Sequence, residues 1–129
     1  MDYDRFLGLV QHRARMADPQ EAVAATRATL ETLGRRLAGG APGNLAAQLP
    51  REIGQHLLSQ ESRQESFSVD DFFEKVSAAE QAELPDSVFH AKVVLDVVKE
   101  AVDDATVDKV YQQLPDEWRR LFDAASIKA

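Results

Sequence analysis

Apolar side chains recur with a helical period from one end of the chain to the other. Phe6, Leu9, Val10 and Met16 are spaced for a helix behind Asp2 and Asp4, acids that suit its positive N-terminal end. Asp18-Pro19 restarts the chain, with aspartate as N-cap and proline at the first helical position. Val23, Thr26, Leu30, Leu33 and Leu37 then form a stripe in steps of three and four. Gly39-Gly40-Ala41-Pro42-Gly43 is expected to stop that helix, since glycine supplies a left-handed cap and proline resists continuation. A short helix over Leu45–Leu49 and another from Pro50 to Leu58 should follow.

From Ser59 to Ser66 no side chain is apolar, which marks a connector. Ser68-Val69-Asp70-Asp71 reads as a capping box, and Phe72, Phe73 and Val76 give the next apolar face. Leu84-Pro85-Asp86 restarts a helix whose stripe is Val88, Ala91, Leu95, Val98 and Val102. Thr106 is the expected N-cap of a helix over Val107–Leu114, and Pro115 opens the last one, bearing Trp118, Leu121 and Phe122. The valines at 93, 94, 97 and 98 suit a buried strand as well. The run is long, lacks turn residues and carries Asp96, Lys99 and Glu100 on one side, so helix is preferred. No window alternates as a strand would, and the fold class is all-α.

The same grammar occurs twice. A shift of 65 residues sets Ala22–Leu57 over Ser87–Phe122 without a gap, with six identities in 36 positions. Five further pairs stay large and apolar: Leu33/Val98, Leu37/Val102, Leu45/Val110, Ile53/Trp118 and Leu57/Phe122. Four identities fall in one pattern, Gln-Leu-Pro-x-Glu, at residues 48–52 and 113–117. Repeats of this size are commonly units that cannot bury their apolar faces alone. The expectation is one compact domain over 1–129: a first helical unit at 1–58, a polar connector at 59–66 and a second, diverged unit at 67–125, about four helices each. The repeated pattern reads as a structural joint. Proline would open the fourth helix of each unit, Leu49 and Leu114 would be buried, and Gln48 and Gln113 would end the preceding helix near its free carbonyls. Glu52 and Glu117, at the third helical position, would reach back to an unpaired N–H.

The run Ala-x-x-x-Thr-Leu-x-x-Leu-x-x-Arg-Leu from Ala25 to Leu37, followed by Ala47-Gln48-Leu49-Pro50, resembles an uncharacterised bacterial family, domain of unknown function 2267. The resemblance extends over nearly the whole chain, including Phe72-Phe73-x-x-Val76 and Gln113-Leu114-Pro115. It implies a tandem helical arrangement and brings no activity, cofactor or catalytic residue with it. Gly39–Gly43 replaces the acidic, alanine-rich start usual for the short third helix of that family.

Composition narrows the classes of function. The chain has no cysteine, so disulfides, thiolate metal sites and a cysteine nucleophile are excluded, and a reducing compartment fits. The acidic start Met-Asp-Tyr-Asp differs from a signal peptide, and no run approaches the roughly 20 apolar residues of a bilayer span. A cytoplasmic location without a membrane partner is expected. The net charge of −7 is unevenly divided. Residues 1–64 carry eight arginines against seven acids, a net +1, whereas residues 65–129 carry seven basic and fifteen acidic residues, a net −8. The acidic total disfavours nucleic acid, and the asymmetry suits either plain solvation or weak, charge-dependent self-association.

No residue set assigns a chemistry. His12, His56 and His90 form no His-x-x-x-His pair, and Glu52/His56 and Asp86/His90 read as surface hydrogen bonds. The glycine stretch has no lysine for a phosphate, and Asp103, Asp104 and Asp108 lack a calcium-loop pattern. Ser77 and Ser87 have no glycine elbow, and Asp70-Asp71 is explained by a helix start. Trp118 and Tyr111 read as core filling. No catalytic, cofactor-binding or metal-binding residue is assigned, and no cofactor is expected. The functional expectation is a small non-catalytic protein-interaction module. The alternative is a ligand-binding or enzymatic domain with a pocket between the two units.

Overall fold

Asp2 accepts a hydrogen bond from the Arg5 amide at 2.8 Å and starts α1 (Tyr3–Arg13). Asp18 accepts from Gln20 at 2.8 Å and, with Pro19 behind it, starts α2 (Pro19–Arg36). The helices α3 (Ala41–Ala46), α4 (Arg51–Leu58), α5 (Val69–Glu80), α6 (Leu84–Ala101), α7 (Asp104–Gln112) and α8 (Asp116–Ala124) complete the chain. The structure, a computed structural model, describes residues 1–59 and 65–124, and among these there are eight helices and no strand. Residues 60–64 of the expected connector lie outside the described residues. At its far end Glu65 pairs with Arg35 Nη2 at 2.9 Å, tying the connector to the end of α2.

The Ser68 capping box forms as expected, with Asp71 as the returning carboxylate. Four expected helix starts shift, among them that of α8, which begins at Asp116 instead of Pro115. The helix α3 begins at Ala41 instead of Leu45, because proline is tolerated in a first turn and Pro42 is the second residue of the helix. The helix α7 begins at Asp104: Asp103 is the N-cap and accepts from the Thr106 amide at 2.8 Å, so Thr106 lies inside the first turn. Pro50 is the N-cap of α4, with ψ at 140°, instead of its first residue.

Two long helices form the centre. The helix α2 packs against α1, α4, α5 and α6, and α6 packs against α1, α2, α5 and α8. Burial on most sides of α6 resolves the valine ambiguity in favour of helix: Val93, Val94, Leu95, Val97 and Val98 are all buried. Three of its charges are engaged within the chain. Asp96 is buried and pairs with Arg13 Nη1 at 2.8 Å, Glu100 also pairs with Arg13, and Lys99 Nζ donates to the Phe122 carbonyl at 2.8 Å. Trp118 is fully buried between Phe67 and Phe72, under the Arg36 guanidinium, in the core role expected of it.

Contacts between the two halves are reciprocal. Gln48 Oε1 accepts from the Asp103 amide at 2.7 Å, and Gln113 Oε1 accepts from the Ala38 amide at 2.8 Å. Ala38 and Asp103, like Gln48 and Gln113, are 65 residues apart. Each glutamine therefore covers the α2–α3 or α6–α7 corner of the other half, and neither holds the carbonyls of its own helix.

Candidate functional site

Polar groups converge most closely where the turn between α1 and α2 meets the end of α5. Just past α1, Arg15 is in the left-handed region at φ 56°, and Gln81 caps α5 at φ 60°. Neither position holds the glycine that such an ending favours. Between the two turns lies an open cleft of about 420 Å³, lined by Arg15, Met16 and Glu21 from the first half and by Glu80, Gln81, Asp86 and His90 from the second.

Glu80, the last residue of α5, is the centre of this cluster, and its side chain is 6% exposed. Its Oε1 accepts from the Ser87 hydroxyl at 2.9 Å, and its Oε2 lies 2.5 Å from His90 Nδ1. Ser87 is fully buried on α6, and His90 is one helical turn beyond it. The carboxylate thus stands between serine and histidine. A nucleophilic triad needs the histidine in the middle, so Ser87 is not activated here. The arrangement can fix one tautomer of His90 and present its other nitrogen to the cleft. Among the described residues no group of three or more His, Asp or Glu side chains is arranged to hold a metal ion.

Spacing pairs His90 with Asp86, yet the structure gives it Glu80, ten residues away on another helix. The acid before a tight turn carries no sequence signal for that partner. His56 is half-buried beside α2, where burial pushes its pKa down, opposed by the charge of Glu31. The Asp103 carboxyl is held below its ordinary range by the Thr106 hydroxyl and amide, a capping role and not a catalytic one. Tyr111 is half-buried against Phe122, its hydroxyl donates to Asp123 at 3.1 Å, and burial raises its pKa to about 12.

A second concavity is chemically unlike the first. Between α3 and α4 lies a groove of about 460 Å³ lined by Gly43, Ala46, Ala47, Leu49, Gly54, Gln55 and Leu58, with Arg51 as the one charged lining residue. Leu58 is 55% exposed, more than any other large apolar side chain described. Sequence reasoning placed Leu58 at a helix end and missed this groove, whose only signal is small residues at 46 and 54 where the second half has Tyr111 and Arg119.

The repeated Gln-Leu-Pro-x-Glu divides its work between these halves. Leu49 and Leu114 are buried as expected. Glu117 does not reach back within its own helix: its Oε1 accepts from the Val69 amide at 3.1 Å and so caps the first turn of α5. The cause is the one-residue shift of the helix start, which leaves Glu117 second in α8.

No helix of the described residues is long and apolar enough to cross a membrane. The chain belongs to the family described as "Uncharacterized conserved protein (DUF2267)", whose model matches residues 3–121. No curated protein matches the chain.

Proposed function

We propose that this protein acts by binding another protein in the cytoplasm and has no chemistry of its own. The observation that carries this reading is the contrast between the two concavities. The polar cluster is satisfied internally, with both Glu80 oxygens engaged by Ser87 and His90. The α3–α4 groove leaves apolar surface open at Leu58, with only Arg51 and Gln55 as polar side chains in its lining. We further take 1–58 and 67–125 as two diverged copies of one unit within a single domain, supported by the reciprocal glutamine contacts at matching positions. The net charge of −7 supports a protein partner over nucleic acid. Four of the first-half arginines (Arg13, Arg27, Arg35 and Arg36) are already engaged within the chain.

A partner captured by the intact chain from its host, then purified, should rebind in a saturable titration with defined stoichiometry. Failure to form any saturable complex with purified candidates overturns the reading. The second reading is a small-ligand site in the cleft, favoured by His90 being oriented by Glu80 at its wall. Under that reading a His90→Ala variant would lose ligand binding while keeping partner capture.

A further inference from the structure

The 65-residue shift that relates the halves also sets α3 and α4 over α7 and α8. In the second half a side chain spans the two helices. The Tyr111 hydroxyl donates to Asp123, Arg119 Nε donates to the Tyr111 carbonyl at 3.1 Å, and the Tyr111 ring lies edge-on to Phe122 with centroids 5.6 Å apart. The corresponding residues of the first half are Ala46, Gly54 and Leu58. No ring can be supplied by alanine and glycine, and an open groove remains where the second half is bridged. Its floor is tight. A Cβ on Gly54 would lie 2.8 Å from the Ala46 carbonyl oxygen, so the two helices meet there backbone to backbone. The rim also changes sign: Arg51 stands where Asp116 occupies the matching position.

We propose that the α3–α4 groove receives an aromatic side chain carried on an acidic segment of a partner protein, which deepens the protein-binding reading above and rests on it. In the second half a tyrosine ring from the third helix of the unit packs on a ring of the fourth. The first half lacks that ring, keeps an exposed leucine beside its place and offers one cation at the edge. An aromatic residue supplies apolar area at small entropic cost, and a neighbouring carboxylate meets Arg51. Charge complementarity selects the acidic segment, because no lining residue of the groove is an acid.

The probe is an acetylated, amidated Glu-Glu-Tyr-Glu-Glu peptide, titrated into the intact isotope-labelled chain while amide NMR shifts are followed. Saturable shifts are expected at Ala46, Ala47, Gly54 and Leu58. Leu58→Asp and Arg51→Asp import the residue types found at the matching second-half positions, and unchanged spectra elsewhere report that both variants fold. Leu58→Asp, or alanine in place of the peptide tyrosine, should weaken binding by about tenfold, the scale of one lost apolar contact. Arg51→Asp should weaken the glutamate peptide and leave a lysine-flanked analogue no weaker. No saturable shift at millimolar peptide overturns the proposal. So do equal binding of the alanine peptide, shifts confined to the Glu80–His90 cleft, or a peptide-free dimer abolished by Leu58→Asp. A purified partner that binds Leu58→Asp as tightly as the original chain removes the groove yet leaves the protein-binding reading standing.

Discussion

Gly34 lies where α2 passes α4 so closely that a Cβ would sit 2.3 Å from the Leu57 carbonyl oxygen. The matching residue of the second half is Lys99, whose ammonium reaches the carbonyl of Phe122, the counterpart of Leu57. Equivalent carbonyls are thus covered by close backbone approach in one half and by a long cationic side chain in the other. Gly34→Ala should destabilise by about 1–3 kcal/mol, the range for forced overpacking, in chemical denaturation. Gly8→Ala is the control: nothing lies within 4 Å of its Cβ position, and a gain of about 0.5–1 kcal/mol is expected in a helix interior. Replacing the left-handed residues by glycine, as Arg15→Gly or Gln81→Gly, should stabilise each helix end by about 1 kcal/mol. Destabilisation by both would show that the side chains contribute more than the backbone conformation costs. Tyr111 titrates near 12 in the folded chain, against 10.0 for an unburied tyrosine. Its folded-state pKa is raised, so its contribution to stability is complete below pH 10.0 and is lost as pH rises toward 12. Tyr111→Phe should remove that alkaline loss, read as the midpoint of denaturation against pH.

At the scale of elements, α3 and α7 show how one substitution moves a helix start. Asp103 supplies a side-chain acceptor for the first turn of α7, whereas its counterpart Ala38 supplies none, and Gly39 takes φ 58° before α3 begins. The helix α3 has six residues and α7 has nine, a difference that follows from the cap. The cross-half glutamines join these same corners. Gln48→Ala and Gln113→Ala should each cost about 1 kcal/mol, since each strands a backbone donor. Hydrogen exchange should quicken at the Asp103 amide in the first variant and at the Ala38 amide in the second. Unchanged exchange at both would contradict the reciprocal contacts. Helix identity and half of the starts are legible because Asp2, Asp18 and Ser68 are local signals, as is the period of the apolar positions. The partners of Gln48, Glu80 and Glu117 were not legible. Each lies on another helix, and nothing in the neighbouring sequence specifies a contact made across the fold. Spacing paired His90 with Asp86 because it sees only neighbours on one helix.

Across the whole molecule, the uneven charge of the halves is partly used inside the chain. Arg13 of α1 is held by Asp96 and Glu100 of α6, which keeps the Glu100 carboxyl below its ordinary value of 4.5. That lowered folded-state pKa gives a contribution present above pH 4.5 and lost as pH falls through the folded value. Arg13→Ala should cost roughly 1.5–3 kcal/mol, the scale of hydrogen bonds to charged groups, by removing the cation shared by Asp96 and Glu100, and should flatten the acid side of the stability profile. Charge left on the surface can support only weak self-association. Sedimentation should therefore show any dimer receding as salt rises and the screening length falls below about 8 Å. A dimer persisting at high salt would be apolar and would contradict this. The central claim is that the chain works by binding a protein through α3 and α4. Hydrogen exchange of the intact chain, with and without a purified partner, tests it most directly. Protection confined to Ala41–Leu58 is the expected result. Protection confined to the cleft formed by Arg15, Gln81 and His90 would contradict it and point to a ligand site there.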